Sequence, residues 1–328
     1  MIRIGVDLLG ADREEEELLP GVLAALDAHE DLAATVYGHG ERLKDALESR
    51  EYDKDRLTIR DAGDVVTPYD DPMKARLQKP GSSLIMGLQA CAVNETDGFV
   101  TSGASGAMFV SSLLILGRIG ASRPALAVSL VGKNFTRPLL LDAGANTDCE
   151  PESLVEFARL GAAYMKAQGI ENPRVALLSN GSEEGKGSRT SKAAFPLLRD
   201  SGLCFTGNIE GKDVFDDRAD VIVCDGFAGN VFLKSVEGAA KFLLREMQAY
   251  YEEEDPAGLP HFGTCMKKCV LPRIDYNNEG GAVLLGVRKP VVKGHGAATA
   301  RTVEVITGIC YDLVKNKLTE KITAEFTE

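Results

Sequence analysis

The chain has 328 residues, of which 44% are hydrophobic and 26% are charged, proportions that are ordinary for a globular protein. Its net charge of −12 argues against nonspecific nucleic-acid binding, which needs a basic surface, so we expect no nucleic-acid partner. A locally positive pocket for an anionic ligand remains compatible with this overall charge.

The cysteine content and the apolar segments predict a cytoplasmic protein. The seven cysteines are odd in number and lie mostly in apolar or strand-like contexts, which favours reduced thiols over a disulfide framework. The N-terminal residues indicate a strand and not a signal peptide. The longest apolar stretch, at about 108–116, contains two serines and is too short to span a bilayer.

Apolar runs alternate with helical apolar periodicity, which predicts a parallel sheet covered by helices. The predicted strands are 2–6, 33–37, 56–60, 98–100, 125–131, 138–141, 174–178, 205–213, 219–224 and 291–292. The predicted helices are 14–28, 40–49, 82–94, 107–116, 151–167, a segment ending at 198, 231–252 and 300–317. Residues 255–273 form the least regular segment. The length allows one large α/β unit or two lobes. Because we find no internal repeat and no low-complexity linker, we expect residues 1–328 to form a single domain.

One apolar run ends in a small, polar, glycine-rich loop. Residues 177–187 carry Lys186 between Gly185 and Gly187, and a helical pattern follows. A strand that leads into such a loop presents backbone N–H groups and a cation to an anion. We therefore predict that Lys186 binds phosphate; an ordinary glycine-rich surface loop is the alternative.

Other predicted strands also end in short loops of Asp, Asn, Gly or Ser. In a parallel sheet the carboxyl ends of the strands line one edge, where ligands bind. The candidate residues at this edge are Asp12, Ser102, Asn146, Lys186, Asn208, Asp225, Asn230 and His295. For the loop at 101–107, close packing of a helix on a strand explains the small residues equally well.

These residue types suit phosphate binding and acyl transfer. Phosphate needs N–H donors and a fixed cation, and acyl transfer needs donors where the carbonyl oxygen becomes negative. The sequence contains no Gly-x-Ser-x-Gly motif, and His39 is interpreted as a surface-loop residue. Direct attack by a bound small nucleophile is therefore favoured over a covalent acyl-enzyme, with Ser105 as the alternative hydroxyl nucleophile.

Six motifs in this order resemble those of the PlsX-type phosphate acyltransferases, and they extend over nearly the whole chain. They are Asp-Leu-Leu-Gly-Ala-Asp at 7–12, Leu-Asp-Ala-Gly-Ala-Asn at 141–146, Glu-Glu-Gly-Lys-Gly at 183–187, Asn-Ile-Glu-Gly at 208–211, Cys-Asp-Gly-Phe-Ala-Gly-Asn at 224–230 and Gly-His-Gly at 294–296. Each motif alone is weak, but six in the same order are specific for the family.

The resemblance implies a three-layer α/β/α Rossmann-like sandwich, related to phosphotransacetylase and isocitrate-dehydrogenase-like folds, in a homodimer. It implies conversion of acyl-[acyl-carrier-protein] and inorganic phosphate to acyl phosphate and free carrier protein in phospholipid synthesis. It implies no cofactor or metal, and reversible peripheral contact with the membrane. It places a catalytic lysine at Lys186 and a catalytic asparagine at Asn230. We assign Gly185, Gly187 and Ser105, with the other edge residues, to substrate binding.

The sequence also departs from the family pattern. The departures are Leu8-Leu9-Gly10-Ala11 for Ala-Met-Gly-Gly, Ala104 for an asparagine, Ser179 and Ser182 for an asparagine and a glutamate, Ala297 and Ala298 for two serines, and Lys79 in place of a dense basic run. Two alternatives therefore stay open. One is a phosphotransacylase that acts on a short acyl-CoA or a protein-bound acyl thioester, and the other is a non-catalytic paralog that binds an acyl carrier.

One further cluster lies in the irregular segment. His261, Cys265 and Cys269 have the i, i+4, i+8 spacing of one helical face. A metal site needs a fourth ligand, which is not evident, so we favour an apolar stripe. From the resemblance we expect a dimer tip or membrane contact at about 240–275.

Overall fold

The computed structural model describes residues 1–120, 123–270 and 281–327. Its strands are β1 (Ile2–Asp7), β2 (Leu32–Gly38), β3 (Leu57–Asp61), β4 (Gly98–Thr101), β5 (Ala125–Ser129), β6 (Leu139–Leu141), β7 (Arg174–Ser179), β8 (Cys204–Glu210), β9 (Val221–Val223), β10 (Ala282–Leu285) and β11 (Val291–Lys293). Its α-helices are α1 (Glu15–Ala28), α2 (Gly40–Leu47), α3 (Ala75–Gln78), α4 (Ser83–Ala92), α5 (Ser105–Leu116), α6 (Pro151–Ala167), α7 (Arg189–Arg199), α8 (Gly226–Glu253), α9 (Leu259–Cys265), α10 (Ala300–Lys315) and α11 (Leu318–Thr327).

The chain forms two compact units. Unit 1 comprises Met1–Ala127, Ala163–Glu171 and Gly280–Glu328, and unit 2 comprises Val128–Ala162 and Asn172–Glu279. β5 and α6 each contain a boundary between the units. The expectation of a single domain stays a prediction.

In unit 1 the strand order is β3-β2-β1-β4-β11-β10. Every pair among the first five strands is parallel, as the alternation of strands and helices predicts. The expectation of a parallel sheet is wrong for β10 and β11, which pair antiparallel. The connection between these two strands is too short for a crossover helix, so the chain reverses direction.

Helices cover both faces of the unit 1 sheet, as two successive residues of β4 demonstrate. Gly98 lies against α10, because a Cβ there would be 2.5 Å from Cys310 Sγ. Phe99 lies against α4, where a Cβ on Gly87 would be 2.0 Å from Phe99 Cε2. Since successive strand residues point to opposite faces, α4 and α10 form the two outer layers of this unit.

Unit 2 contains the parallel strand order β6-β9-β7-β8. α6 lies on one face, where a Cβ on Gly161 would be 2.5 Å from Val221 Cγ1. On the other face, Leu140 and Ile222 belong to a buried cluster against which Phe232 of α8 packs. Helices therefore cover both faces of this sheet as well.

Two predictions of local structure are wrong. α8 begins at Gly226 and not at 231, because the Asp225 side chain accepts a hydrogen bond from the Ala228 amide and starts the helix there. The segment predicted to be irregular contains α9 and a π-helical turn at Met266–Val270, and its residues 271–273 lie outside the described residues. The predicted helix at 300–317 corresponds to α10 (Ala300–Lys315), and the sequence missed α11, which follows the left-handed Lys317 with its φ of 51°.

Across residues 1–120, 123–270 and 281–327, no helix combines the length and the apolar composition that crossing a bilayer requires. α8 has the length, with 28 residues, but carries charged side chains from Lys234 onward.

Candidate active site

The Lys186 loop, defined as residues 180–187, connects β7 to α7 in unit 2. Two hydrogen bonds hold it: the Gly187 amide donates to Asn180 Oδ1 at 2.8 Å, and the Lys186 amide donates to the Glu183 carbonyl at 3.0 Å. Gly187 has a φ of +112°, and a Cβ there would lie 2.9 Å from Ser191 Cβ. Glycine at this position is therefore required by conformation and by space.

The Lys186 side chain is exposed, and its methylene groups pack over the buried Gly181. A Cβ on Gly181 would lie 2.8 Å from Lys186 Cγ, so the missing side chain makes room for the lysine. Within the described chain, no carboxylate lies within ion-pair distance of the Lys186 ammonium. Its charge is therefore available to an anionic ligand.

α7 begins directly after this loop and adds backbone donors. Ser188 caps the helix by accepting the Ser191 amide at 3.1 Å. The amides of Arg189 and Thr190 have no acceptor among the described residues. A helix N-terminus with unbonded amides and a neighbouring ammonium is a favourable environment for phosphate.

The loop after β6 is built around the buried Asp142 carboxylate. It accepts the amides of Gly144 and Ala145 at 3.1 Å each, the Asn146 amide at 2.6 Å and Asn146 Nδ2 at 2.8 Å. Asn146, a predicted substrate-binding residue, is only 5% exposed. Its side chain therefore stabilises the loop through Asp142.

Asp225 lies in the loop after β9, and Asn230 lies near the start of α8, which follows that loop. Asp225 Oδ1 accepts the Ala228 amide at 2.7 Å, so this carboxylate serves as the N-cap of α8. Asn230 is exposed on the first turn of α8 and packs on Gly144, where a Cβ would lie 3.5 Å from Asn230 Oδ1. The Asn230 amide therefore lies beside the Asp142 loop and is accessible to a ligand.

Strand order brings these loops to one edge of unit 2. β9 lies between β6 and β7, all three are parallel, and neighbouring strands are about 4.8 Å apart. The segments that carry Asn146, Asn230 and Lys186 therefore follow three adjacent strands. Asn208 lies within β8 and contacts the Lys186 loop, because its Nδ2 donates to the Glu183 carbonyl at 2.8 Å.

The remaining predicted residues belong to unit 1, where a second buried aspartate organises the edge. Asp7 accepts the amides of Leu9 and Gly10 at 3.1 and 3.3 Å and the Thr101 hydroxyl at 2.7 Å. Burial raises the pKa of the Asp7 carboxyl above its ordinary value. This network joins the end of β1 to the end of β4.

Asp12 and His295 come together in unit 1. The Asp12 amide donates to the Gly296 carbonyl at 2.8 Å, and His295 Nδ1 accepts the Ala297 amide at 3.1 Å. Because Nδ1 accepts, a neutral His295 carries its proton on Nε2. Ser102 is 3% exposed, whereas Ser105 is exposed at the start of α5.

Comparison with known proteins identifies the family. A family model described as a fatty acid synthesis protein matches residues 2–321. A phosphate acyltransferase of Clostridium tetani is 35% identical over 332 residues, covering 99% of this chain and 98% of that protein. The chain belongs to the PlsX-type phosphate acyltransferase family. This membership confirms the predicted enzyme class, a phosphate acyltransferase of fatty acid and phospholipid synthesis.

Other similar proteins support the same assignment of family and fold. A phosphate acyltransferase of Bacillus subtilis is 37% identical over 306 residues, covering 92% of this acyltransferase and 91% of that protein. A phosphotransacetylase from Streptococcus pyogenes matches with a TM-score of 0.61 at 17% identity, covering 96% of this chain and 94% of that one. A 4-hydroxythreonine-4-phosphate dehydrogenase from Klebsiella pneumoniae matches with a TM-score of 0.55 at 10% identity, covering 96% and 100%. These structures confirm the predicted α/β fold related to phosphotransacetylases.

Sequence reasoning missed the two buried aspartates of this acyltransferase, Asp7 and Asp142, as organising residues. Each comes directly at or after a strand and before a glycine-rich turn, which is the signal that marks them. It also missed a partner for His39, whose Nδ1 lies 2.8 Å from Oε1 of the buried Glu15. Gly38 makes room for this carboxylate, because a Cβ there would lie 2.3 Å from Glu15 Oε2.

The sequence left open a metal site at His261, Cys265 and Cys269, near the π-helical turn. Within the described ranges, no three His, Cys, Asp or Glu side chains are grouped so that they can hold a metal ion. The π-helical turn at Met266–Val270 changes the helical period between Cys265 and Cys269.

Proposed function

We propose that this acyltransferase converts acyl-[acyl-carrier-protein] and inorganic phosphate to acyl phosphate and free carrier protein. The observation that carries the proposal is the unpaired Lys186 ammonium on an anchored loop at the start of α7. The loop with Asn230 follows the neighbouring strand, which supports a common role for the two side chains.

In this mechanism phosphate attacks the thioester carbonyl directly. Lys186 and the first amides of α7 bind the phosphate and offset its negative charge. The Asn230 amide donates to the carbonyl oxygen as that oxygen becomes negative. The thiol leaves as a thiolate, so no strong general acid is required. Ser105, the alternative nucleophile, has no base in hydrogen-bond contact within the part of the chain that the structure describes.

The other predicted substrate contacts divide into two groups. Asp225 and Asn146 support the site by fixing the start of α8 and the Asp142 loop. Asp12, Ser102 and His295 of unit 1 stay predicted substrate-binding residues, which alanine variants test through the KM for acyl carrier.

We also propose a cytoplasmic homodimer with peripheral membrane contact. In the distal half of α8, Phe242, Leu243, Met247 and Tyr250 are each more than 40% exposed. An exposed apolar helix face of this kind supports association with a second copy or a lipid surface. The described cysteines are all free thiols, which supports a reducing compartment.

A thioester panel, run with and without phosphate, tests the reaction. The proposal predicts phosphate-dependent consumption of long-chain acyl-carrier protein and formation of acyl phosphate. Consumption of short acyl-CoA without consumption of acyl-carrier protein would establish the phosphotransacylase alternative. Binding of acyl-carrier protein without turnover of any thioester would establish the non-catalytic paralog.

A further inference from the structure

Two buried oxygen atoms beside the Lys186 loop have no hydrogen-bond partner among the described residues. They are Ser179 Oγ, at the end of β7, and Asn208 Oδ1, on β8. A buried polar atom without a hydrogen-bond partner lowers the stability of a fold by about 1–3 kcal/mol, and such atoms are rare. Six such atoms occur among the described residues, and these two lie beside a candidate phosphate loop: a Cβ on Gly187 would be 3.1 Å from Ser179 Oγ, and Asn208 contacts Glu183. A ligand with complementary groups would satisfy both.

A β-bulge brings Asn208 to this position. The pairing of β7 with β8 is irregular between Val175 and Leu177, and β8 contains one extra residue there. Gly207 takes a φ of +95° within the irregular stretch, and the Thr206 hydroxyl donates to the Val175 carbonyl at 3.0 Å. Paired residues of parallel strands point to the same face, so the bulge places Asn208 on the face of Ser179.

The orientation of the Asn208 amide follows from its contact with the loop. A backbone carbonyl only accepts, so the group that faces the Glu183 carbonyl at 2.8 Å is the NH2 of Asn208. The unpartnered atom is therefore the amide oxygen, which is an acceptor only. A ligand satisfies this oxygen only if it carries a hydrogen on an electronegative atom.

We infer that Asn208 and Ser179 select protonated phosphate at the Lys186 loop. Asn208 Oδ1 accepts the hydrogen of a P–O–H group, and the Ser179 hydroxyl donates to another phosphate oxygen. Phosphate near neutral pH carries one or two hydrogens, whereas sulfate carries none. A bound sulfate would place an oxygen lone pair against Asn208 Oδ1, so this pair discriminates between the two anions. The inference rests on the proposed function.

The contact between Asn208 Oδ1 and the P–O–H group also fixes which phosphate oxygen carries the proton. Hydrogen phosphate forms a C–O bond to the acyl carbon, the C–S bond breaks, and its electron pair leaves with sulfur. The sulfur leaves as a thiolate while the proton stays on the phosphoryl group. The acyl phosphate then releases this proton to solvent and the thiolate takes one up, so the final products are acyl phosphate and a thiol. With its P–O–H group fixed on Asn208, the phosphate attacks through an unprotonated oxygen.

Entry of phosphate requires the Lys186 loop to lift, because both oxygens are closed from solvent. Residues 182–186 are exposed, and few side chains attach them to the rest of unit 2. The contacts are the Asn208–Glu183 hydrogen bond and an exposed ion pair of Glu184 with Arg199 at 3.0 Å. The exposed ion pair contributes little stability, so the Asn208–Glu183 hydrogen bond is the main contact that lifting breaks. This bond forms again when the loop closes over the phosphate, and it then holds the Asn208 amide in the orientation given above.

Calorimetric titration of the purified protein with phosphate and with sulfate at pH 7 tests the inference. Wild type is expected to bind phosphate at least about tenfold more tightly than sulfate. Asn208→Ala should lose this preference, with phosphate affinity falling about tenfold and sulfate affinity unchanged or higher. Asn208→Asp keeps an acceptor and should keep the preference for phosphate over sulfate, although its negative charge weakens the binding of both anions.

Ser179→Ala and Ser235→Ala complete the series. Ser179→Ala removes a donor that both anions use, so it should weaken the binding of both by a similar factor. Ser235 is an exposed serine of α8 outside the Lys186 loop and is the matched control, which should leave both affinities unchanged. Circular dichroism and thermal melting establish that each variant is folded.

Equal affinity of the wild-type protein for phosphate and sulfate overturns the inference. So does an Asn208→Ala protein whose affinities for the two anions fall by the same factor. These outcomes are separable from a failure of the proposed function. If the protein prefers phosphate but consumes no thioester, the proposed acyl transfer is wrong and the inference about phosphate selection stands. If the protein forms acyl phosphate but is inhibited by sulfate at concentrations near the phosphate KM, the selection of phosphate over sulfate is wrong and the proposed reaction stands.

Discussion

Replacing Asp142 by asparagine is expected to destabilise the edge that carries Asn230. Among its contacts within the described ranges, the buried carboxylate accepts four N–H groups, two on each oxygen. Asparagine has the same shape but only one acceptor oxygen. If that oxygen keeps the amides of Gly144 and Ala145, the new NH2 group faces the two donors of Asn146.

The size of the effect follows from the two lost hydrogen bonds. Hydrogen bonds to a charged group contribute about 1.5–3 kcal/mol each, so Asp142→Asn is expected to lose roughly 3–6 kcal/mol of stability. At roughly 2–4 °C per kcal/mol for a domain of about 150–250 residues, that loss corresponds to a fall in Tm of roughly 6–24 °C. Turnover should fall as well, because Asn230 packs on Gly144 of the distorted loop.

Differential scanning calorimetry and acyl phosphate formation measure the two effects. Asp200→Asn is the matched control, since Asp200 is exposed and its one ion pair among the described residues, with Arg199, is long at 3.5 Å. The control should stay within about 0.5 kcal/mol of wild type. An Asp142→Asn protein with the Tm and turnover of wild type would refute the reasoning.

Three further predictions follow from named contacts. Gly187→Ala places a Cβ 2.9 Å from its neighbour at a φ of +112°, so we expect a loss of about 1–3 kcal/mol and a higher phosphate KM, measured by melting and by phosphate titration. Asp225→Ala removes the N-cap of α8 and should lower stability by about 0.5–2 kcal/mol, whereas Asp225→Ser should restore most of it in denaturant titration. The Lys79 ammonium lowers the pKa of Asp70 to about 2. Because this folded-state pKa lies below the unfolded value, its stabilisation is complete above about pH 4 and is lost as the pH falls toward 2, so Asp70→Asn should flatten the stability profile in that window.

Much of the local structure was predictable from sequence, because it follows from apolar periodicity. The first strand and α6 were placed correctly, since Ile4 and Val6 alternate with less apolar residues and Pro151 marks a helix start. The start of α8 was not placed correctly, because the sequence does not distinguish an aspartate that binds a ligand from one that caps a helix. Which of the two roles Asp225 has depends on the folded structure around its side chain.

The candidate site was predictable as a set of loops but not as a set of roles. Its loops follow strand ends, which the sequence reveals. Asp142 and Asp7 are polar residues at such ends, yet the structure buries both and uses them to hold backbone amides. The position of Asn208 depends on a bulge at Gly207, and a bulge leaves only a glycine as a sign in the sequence.

The measurement that tests the central claim most directly is the rate of acyl phosphate formation by wild type and Lys186→Met, from acyl-carrier-protein thioester at saturating phosphate. Lys192→Met, which removes an exposed lysine of α7, is the matched control. We predict a phosphate-dependent rate for wild type, a similar rate for the control, and a loss of about 10²–10³-fold for Lys186→Met at an unchanged Tm. A Lys186→Met enzyme as fast as wild type would contradict the assignment of Lys186 as the phosphate-binding cation of the reaction.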